Sequence, residues 1–198
     1  MNLREKKFTN IRKIFFRISI CLFSALFVSI STQSIVYGDQ VEHSNEINLD
    51  TTIINRKDLP SNIPIDQAIT NLNNEKYAKL DNNSLPKGFT VVSGYIIRMS
   101  GTTCQLYIAW SGTDSINIWR ANNIRVTNLS WLNPYTYFNV NNFYQGTTAA
   151  ATGTCYVGTM SIPTNETKAE VSASNLQAYY LAFGWRSALI NNGTVVIN

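Results

Sequence analysis

Between Phe89 and Ile197 the chain repeats one pattern: a short run of β-branched, aromatic and other apolar residues, followed by a turn signal. The runs are Phe89 to Met99, Cys104 to Trp110, Ile116 to Arg120, Ile124 to Trp131, Tyr135 to Tyr144, Thr154 to Ile162, Lys168 to Ala173, Ala178 to Arg186 and Thr194 to Ile197. Ser100-Gly101, Ser111-Gly112, Asn122-Asn123, Asn133-Pro134, Gln145-Gly146 and Asn192-Gly193 punctuate them, and Asn192-Gly193 supplies the positive φ values of a tight hairpin. Strands this short and this closely spaced predict an all-β fold, an antiparallel β-sandwich over residues 86 to 198, because eight or nine strands need a second sheet to bury one face.

Within the runs the two-residue period assigns faces. Cys104, Leu106, Ile108 and Trp110 share one face and Gln105, Tyr107 and Ala109 the other, so Cys104 points inward. The same logic sets Ile116 and Ile118 against Asn117 and Trp119.

Charge divides the chain before this domain. The 198 residues total +4, yet the first seventeen carry Arg4, Lys6, Lys7, Arg12, Lys13 and Arg17 against Glu5 alone. An apolar stretch from Ile18 to Ile30 follows, and then the small residue Gly38. A basic start, an apolar core and a small residue at the cut are the parts of a secretory signal peptide, expected over 1–38 with cleavage near Gly38. The apolar run falls short of the ~18–20 residues of a spanning helix, so no stable membrane insertion of the mature protein is expected. The reading is therefore of a secreted, extracellular protein.

Residues 39–85 hold eight acids and four bases. They are expected to form an acidic, polar arm with a short helix over 65–80, where Ile65, Ala68, Ile69 and Leu72 follow helical spacing behind Pro64. Residues 86–198 carry six bases and three acids, so the arm is expected to dock on its own domain. Lys87, Arg98, Arg120, Arg125, Lys168 and Arg186 are dispersed over several runs, which excludes a basic stripe for nucleic acid. Arg186 is expected to pair with a carboxylate of the arm.

Losing Cys21 with the signal leaves Cys104 and Cys155 in an oxidising compartment, where an even count predicts a disulfide. Closing a loop of about fifty residues would stabilise the fold by roughly 4 kcal/mol. A buried bridge with tryptophan nearby resembles immunoglobulin-like domains over residues 89 to 190. That resemblance implies two sheets pinned across the core, although Gly153 stands where the tyrosine corner of that class places Tyr.

Catalytic residue types are scarce. Residues 86–198 contain no histidine, and their carboxylates are Asp114, Glu166 and Glu170. His43 lies in the polar arm, so no Ser or Cys triad, metal site or cofactor is expected, and the protein reads as not an enzyme. Glu166 and Glu170 as a glycosidase pair give one alternative function, though flanking Lys168 they read more simply as a charged strand edge. An exported toxin or bacteriocin-like factor acting on a target envelope is another, resting on the Thr and Ala run between Gly146 and Gly153. The main expectation is a binding module for carbohydrate or a protein surface. Its candidate ligand-binding residues are Trp131, Tyr135, Tyr137, Tyr144 and Asn142, from a segment where aromatic rings alternate with amides.

Overall fold

The computed structural model describes residues 46–78, 89–130, 132–191 and 194–197. All of them belong to a compact unit, Ser44–Asn198. The expected signal peptide and the Asn192-Gly193 turn lie outside the described residues.

In chain order the elements are β1 (Glu46–Asn55), a single 3-10 turn (Arg56–Asp58), helix α1 (Ile65–Tyr77), β2 (Thr90–Ser100), β3 (Thr103–Thr127), β4 (Thr136–Ser161), β5 (Glu170–Ser174), β6 (Gln177–Tyr180), β7 (Gly184–Asn191) and β8 (Thr194–Ile197). The all-β class stands, with one helix laid on the sheet. The strands are not divided between two stacked sheets joined as in an immunoglobulin-like sandwich. All eight belong to one hydrogen-bonded sheet, and β1 runs parallel to β2.

The difference originates in β3 and β4, which are 25 and 26 residues long. Ser111-Gly112, Asn122-Asn123 and Gln145-Gly146 lie inside these strands and do not reverse the chain. At Gly112 a Cβ would sit 2.1 Å from Thr90 Oγ1 and 2.7 Å from the Phe89 carbonyl, so this glycine permits close contact between strands. Register breaks between Ser111 and Ile116, and again between Ile116 and Ile118, mark the bend. The second break moves Trp119 to the interior beside Ile116 and leaves Ile118 half-buried, which corrects the simple alternation over 116–119.

One edge of β3 follows β4 throughout. Along its other edge β3 meets β2 over residues 103–112, then β6 over 116–120, then β5 over 123–127. Because β5 pairs β1 and β1 pairs β2, that route returns to β3. A second route runs from β6 through β7 and β8 to β2. The sheet therefore closes on itself.

Burial follows from closure. The interior gathers Leu106, Ile108, Trp110 and Ile124 from β3 with Ile96, Val171, Tyr180 and Ile197 from the strands around it. The outer face of β2 and β3 forms a second core, where Tyr95, Ile97, Tyr107 and Ala109 meet Ala68 and Ile69 of α1. With cover on both faces, the first eight residues of β2 are buried without alternation. Its polar members are satisfied: the Tyr180 hydroxyl donates to Thr90 Oγ1 at 2.7 Å, and Ser93 Oγ lies 2.8 Å from the Tyr77 hydroxyl.

Residues 46–55, expected to belong to an acidic arm outside the domain, form β1 inside the sheet between β5 and β2. Ile47 and Leu49 point into the interior core while Glu46, Asn48 and Asp50 are exposed. What attaches this segment is backbone pairing and apolar burial, with the Lys76–Asp50 ion pair internal to it. Opposed net charges are not needed to hold it.

Cys104 and Cys155 are both buried and unpaired. Cys104 stands opposite Met160 and Cys155 opposite Ile108, so the two are offset by four positions along the ladder. At ~3.3 Å per residue this is about 13 Å, well beyond the ~7 Å that a disulfide spans between Cα atoms. The predicted bridge is absent because the long hairpin fixes this register. Burial pushes the Cys155 thiol from 9.0 up to about 12, and burial likewise raises that of Cys104.

Two outcomes are expected. Both thiols should resist a thiol reagent at pH 8 in the native state and react only after denaturation, and a reductant should leave the melting temperature unchanged. A melting temperature lowered by reductant would show a bridge. Stability should also be flat up to about pH 9 and fall above it. Burial lifts Tyr95 and Tyr180 from 10.0 to about 12, so from Cys155 near pH 9 and from the tyrosines near pH 10 the unfolded chain releases protons that the folded one keeps. Each such group steepens the decline towards ~1.4 kcal/mol per pH unit until about pH 12. Urea unfolding at successive pH values would measure it.

Candidate functional site

The bend in the long hairpin builds the site. Two residues other than glycine have positive φ among the described residues, Asn142 at 55° and Asn175 at 50°. Each marks a change of side-chain phase. On β4 the core-facing set steps from Phe138 and Val140 to Phe143, and across Asn175 it steps from Val171 and Ala173 to Leu176 and Ala178. Asn suits both places because a short polar side chain tolerates the left-handed region. The two asparagines line one surface cleft of about 550 Å³, together with Asn122, Gln177, Arg120 and Tyr144.

Beside this cleft a row of side chains crosses four strands. Tyr144 of β4 stands opposite Arg120 of β3, Arg120 opposite Gln177 of β6, and Gln177 opposite Ser187 of β7. Hydrogen bonds knit the row: Arg120 Nε donates to Gln177 Oε1 at 2.7 Å, and Gln177 Nε2 donates to Ser187 Oγ at 2.9 Å. The Arg120 guanidinium lies 3.9 Å from the centroid of the Trp185 ring. Tyr179 meets the same indole edge-on at 5.4 Å and Tyr144 approaches it at 6.5 Å. A planar cation held over a half-buried indole is a fixed, amphipathic surface, since each partner limits the rotamers of the other.

Of the five candidate ligand-binding residues, Tyr144 and Asn142 belong to this cleft. Tyr135 and Tyr137 lie elsewhere, paired edge-to-face at 5.2 Å near the start of β4. Tyr137 packs partly on the interior core, and its hydroxyl pKa is raised by burial and by the Glu166 carboxylate to which it bonds. Trp131 lies outside the described residues. The cation on Trp185 is Arg120, not its sequence neighbour Arg186. Arg120, Trp185, Tyr179, Gln177 and Asn175 carry no sequence signal of this site, because they come together only through strand register.

A second cavity, about 380 Å³, lies where α1 meets the middle of β4. Asp66, Gln67 and Thr70 of the helix face Thr147, Thr152 and Tyr156 there. Trp110 closes its floor by donating Nε1–H to the Ala150 carbonyl at 3.1 Å. At Gly153 a Cβ would come within 2.7 Å of the Trp110 ring, so this glycine makes room for the indole.

Neither cavity is lined by Glu166 or Glu170. Arg98 donates to the backbone carbonyls of Gly101, Ile162, Pro163 and Glu166, fixing the loop after β4 in a structural role. No cluster of three or more His, Cys, Asp or Glu suited to a metal occurs among the described residues.

Comparison of the chain with protein-family models, with curated proteins and with solved structures finds no match.

The left-handed residues allow a local test. Asn142→Gly should leave stability within about 0.5 kcal/mol, whereas Asn142→Val should cost roughly 1–2 kcal/mol, because a β-branched side chain is strained at positive φ. Equal effects in denaturant titrations would mean the phase change does not depend on this conformation.

Proposed function

We propose that this protein is an exported, non-enzymatic binding module, and that the cleft beside Trp185 takes a glycan. The observation that carries this reading is the hydrogen-bonded row of Arg120, Gln177 and Ser187, with Tyr144 next to Arg120 in the ladder and the indole of Trp185 at its side. Sugars present apolar C–H faces and rings of hydroxyls. An aromatic plane receives the first, and amide and guanidinium groups, which donate and accept in fixed directions, receive the second. Asn122, Asn142 and Asn175 extend the amide set along the cleft. No carboxylate lines it, which suits a ligand that is bound and left intact. The basic and apolar N-terminal sequence supports export of the chain.

Screening the chain from Asp39 onward on immobilised glycans should find a ligand whose binding falls at least tenfold in Arg120→Gln and in Tyr144→Ala. Both side chains are exposed, so the melting temperature should move by no more than about 2 °C. Binding that survives both substitutions would place the ligand elsewhere. Binding to protein but to no glycan, or release of a shortened glycan, would overturn the reading.

A further inference from the structure

The hairpin that forms the cleft at its bend ends in an unusual tip. From Val126 to Asn165 forty consecutive residues include no Asp, Glu, Lys, Arg or His. The loop between β3 and β4 lies in this stretch and displays Leu129, Leu132 and Tyr135, which are 56%, 69% and 62% exposed. Large apolar side chains standing in water need a reason when several share one short loop.

Hydrogen bonds tie the described residues of this loop together. The Asn128 backbone N–H donates to the Tyr135 carbonyl at 3.0 Å, and its side-chain Oδ1 accepts the Tyr135 N–H at 2.8 Å. Asn128 Nδ2 donates to the Asn133 carbonyl at 2.9 Å, and Ser130 Oγ accepts the Asn133 N–H at 3.3 Å. Tyr135 leans edge-on against Tyr137. Exposed leucines on a loop this well tied keep their position without any partner, so a partner would meet them already ordered and pay little entropy.

We propose that this loop is a docking tip for a lipid surface, entering the interfacial layer of a bilayer with Leu129, Leu132 and Tyr135. Leucine and tyrosine at the apex suit that boundary, where an apolar body sits among acyl chains and a hydroxyl stays near headgroups. A loop with no charge enters the interfacial layer without the cost of desolvating an ion. Around its base Arg125 and Lys168 are balanced by Glu166 and Glu170, with Glu170 opposite Thr127 in the ladder. The tip should therefore bind without requiring anionic lipid. It is a peripheral contact, since no helix among the described residues is long and apolar enough to cross a membrane and eight loop residues cannot span one.

The test is sedimentation with vesicles of pure phosphatidylcholine, using the chain from Asp39, which holds the whole compact unit and lacks the apolar Ile18 to Ile30 segment. The protein should partition to the vesicles. Leu129→Asp with Leu132→Asp should lower the partition coefficient about a hundredfold, at roughly tenfold per buried leucine. Replacing the exposed pair on β7, Leu189→Asp with Ile190→Asp, should change it less than threefold. Replacing a third of the lipid with phosphatidylglycerol should also change it less than threefold. Failure of the intact protein to partition, binding that needs phosphatidylglycerol, or a tip variant that binds as well as the original would each overturn the proposal. Because the loop is exposed, the tip variant should keep its melting temperature; if it does not, Leu132→Ser alone, with a tenfold loss, decides.

Discussion

Everything in this molecule is arranged around the hydrogen bonding of β3. A strand of 25 residues is too long to stay straight in a unit this size, and β3 meets three strands in turn along one edge while keeping β4 along the other. Two changes of partner require two bends, and each bend disturbs the alternation of inward and outward side chains. The chain accommodates this with register breaks near Ile116 and with the left-handed Asn142 on the facing strand. Closure of the sheet then leaves β2 with apolar cover on both faces, from the interior on one side and from α1 on the other. The helix is thus an obligatory part of the fold, since without it Tyr95, Ile97, Tyr107 and Ala109 would face water.

What the sequence reveals of this follows from how far each signal reaches. Alternation from Cys104 to Trp110 gives the right faces, because an unbroken strand keeps its period of two and the core supplies apolar neighbours on one side. The helix near residue 65 is legible from spacing for the same reason. Bends are not legible, because Ser-Gly and Asn-Asn pairs serve equally where a chain reverses and where a strand kinks. Composition misleads at β1 in a different way. Its exposed face carries Glu46, Asn48 and Asp50, and in a tally of acids those outweigh Ile47 and Leu49, the two residues that place the strand. An even cysteine count predicts a bridge between Cys104 and Cys155, but the offset of the pair is a matter of ladder register, which no count contains.

The site shows the same limit more sharply. Aromatic density between Tyr135 and Tyr144 measures closeness along the chain, but successive residues of a strand face opposite ways and this strand changes phase at Asn142. The dense segment is accordingly split between the core, the tip and the cleft. The partners that complete the cleft come from β6 and β7, with Arg120 and Gln177 separated by fifty-seven positions and joined by one hydrogen bond. Arg120 finds Trp185 only because β3, β6 and β7 lie side by side.

The absence of charge along β4 shapes how this protein can meet anything else. A protein surface is usually kept soluble by carboxylates and amines, whose fields reach about a Debye length and steer encounters. Along β4 that work falls to asparagine, threonine and glutamine, which bind water well but project no lasting field. Recognition there must therefore be decided at contact, by the direction of hydrogen bonds and the fit of apolar faces. Such a surface gains most when its side chains are ordered before the partner arrives, because no long-range attraction offsets the entropy of ordering them later. The bonds from Arg120 to Gln177 to Ser187, and those from Asn128 to Asn133 and Tyr135, provide that order at two separate places on one hairpin.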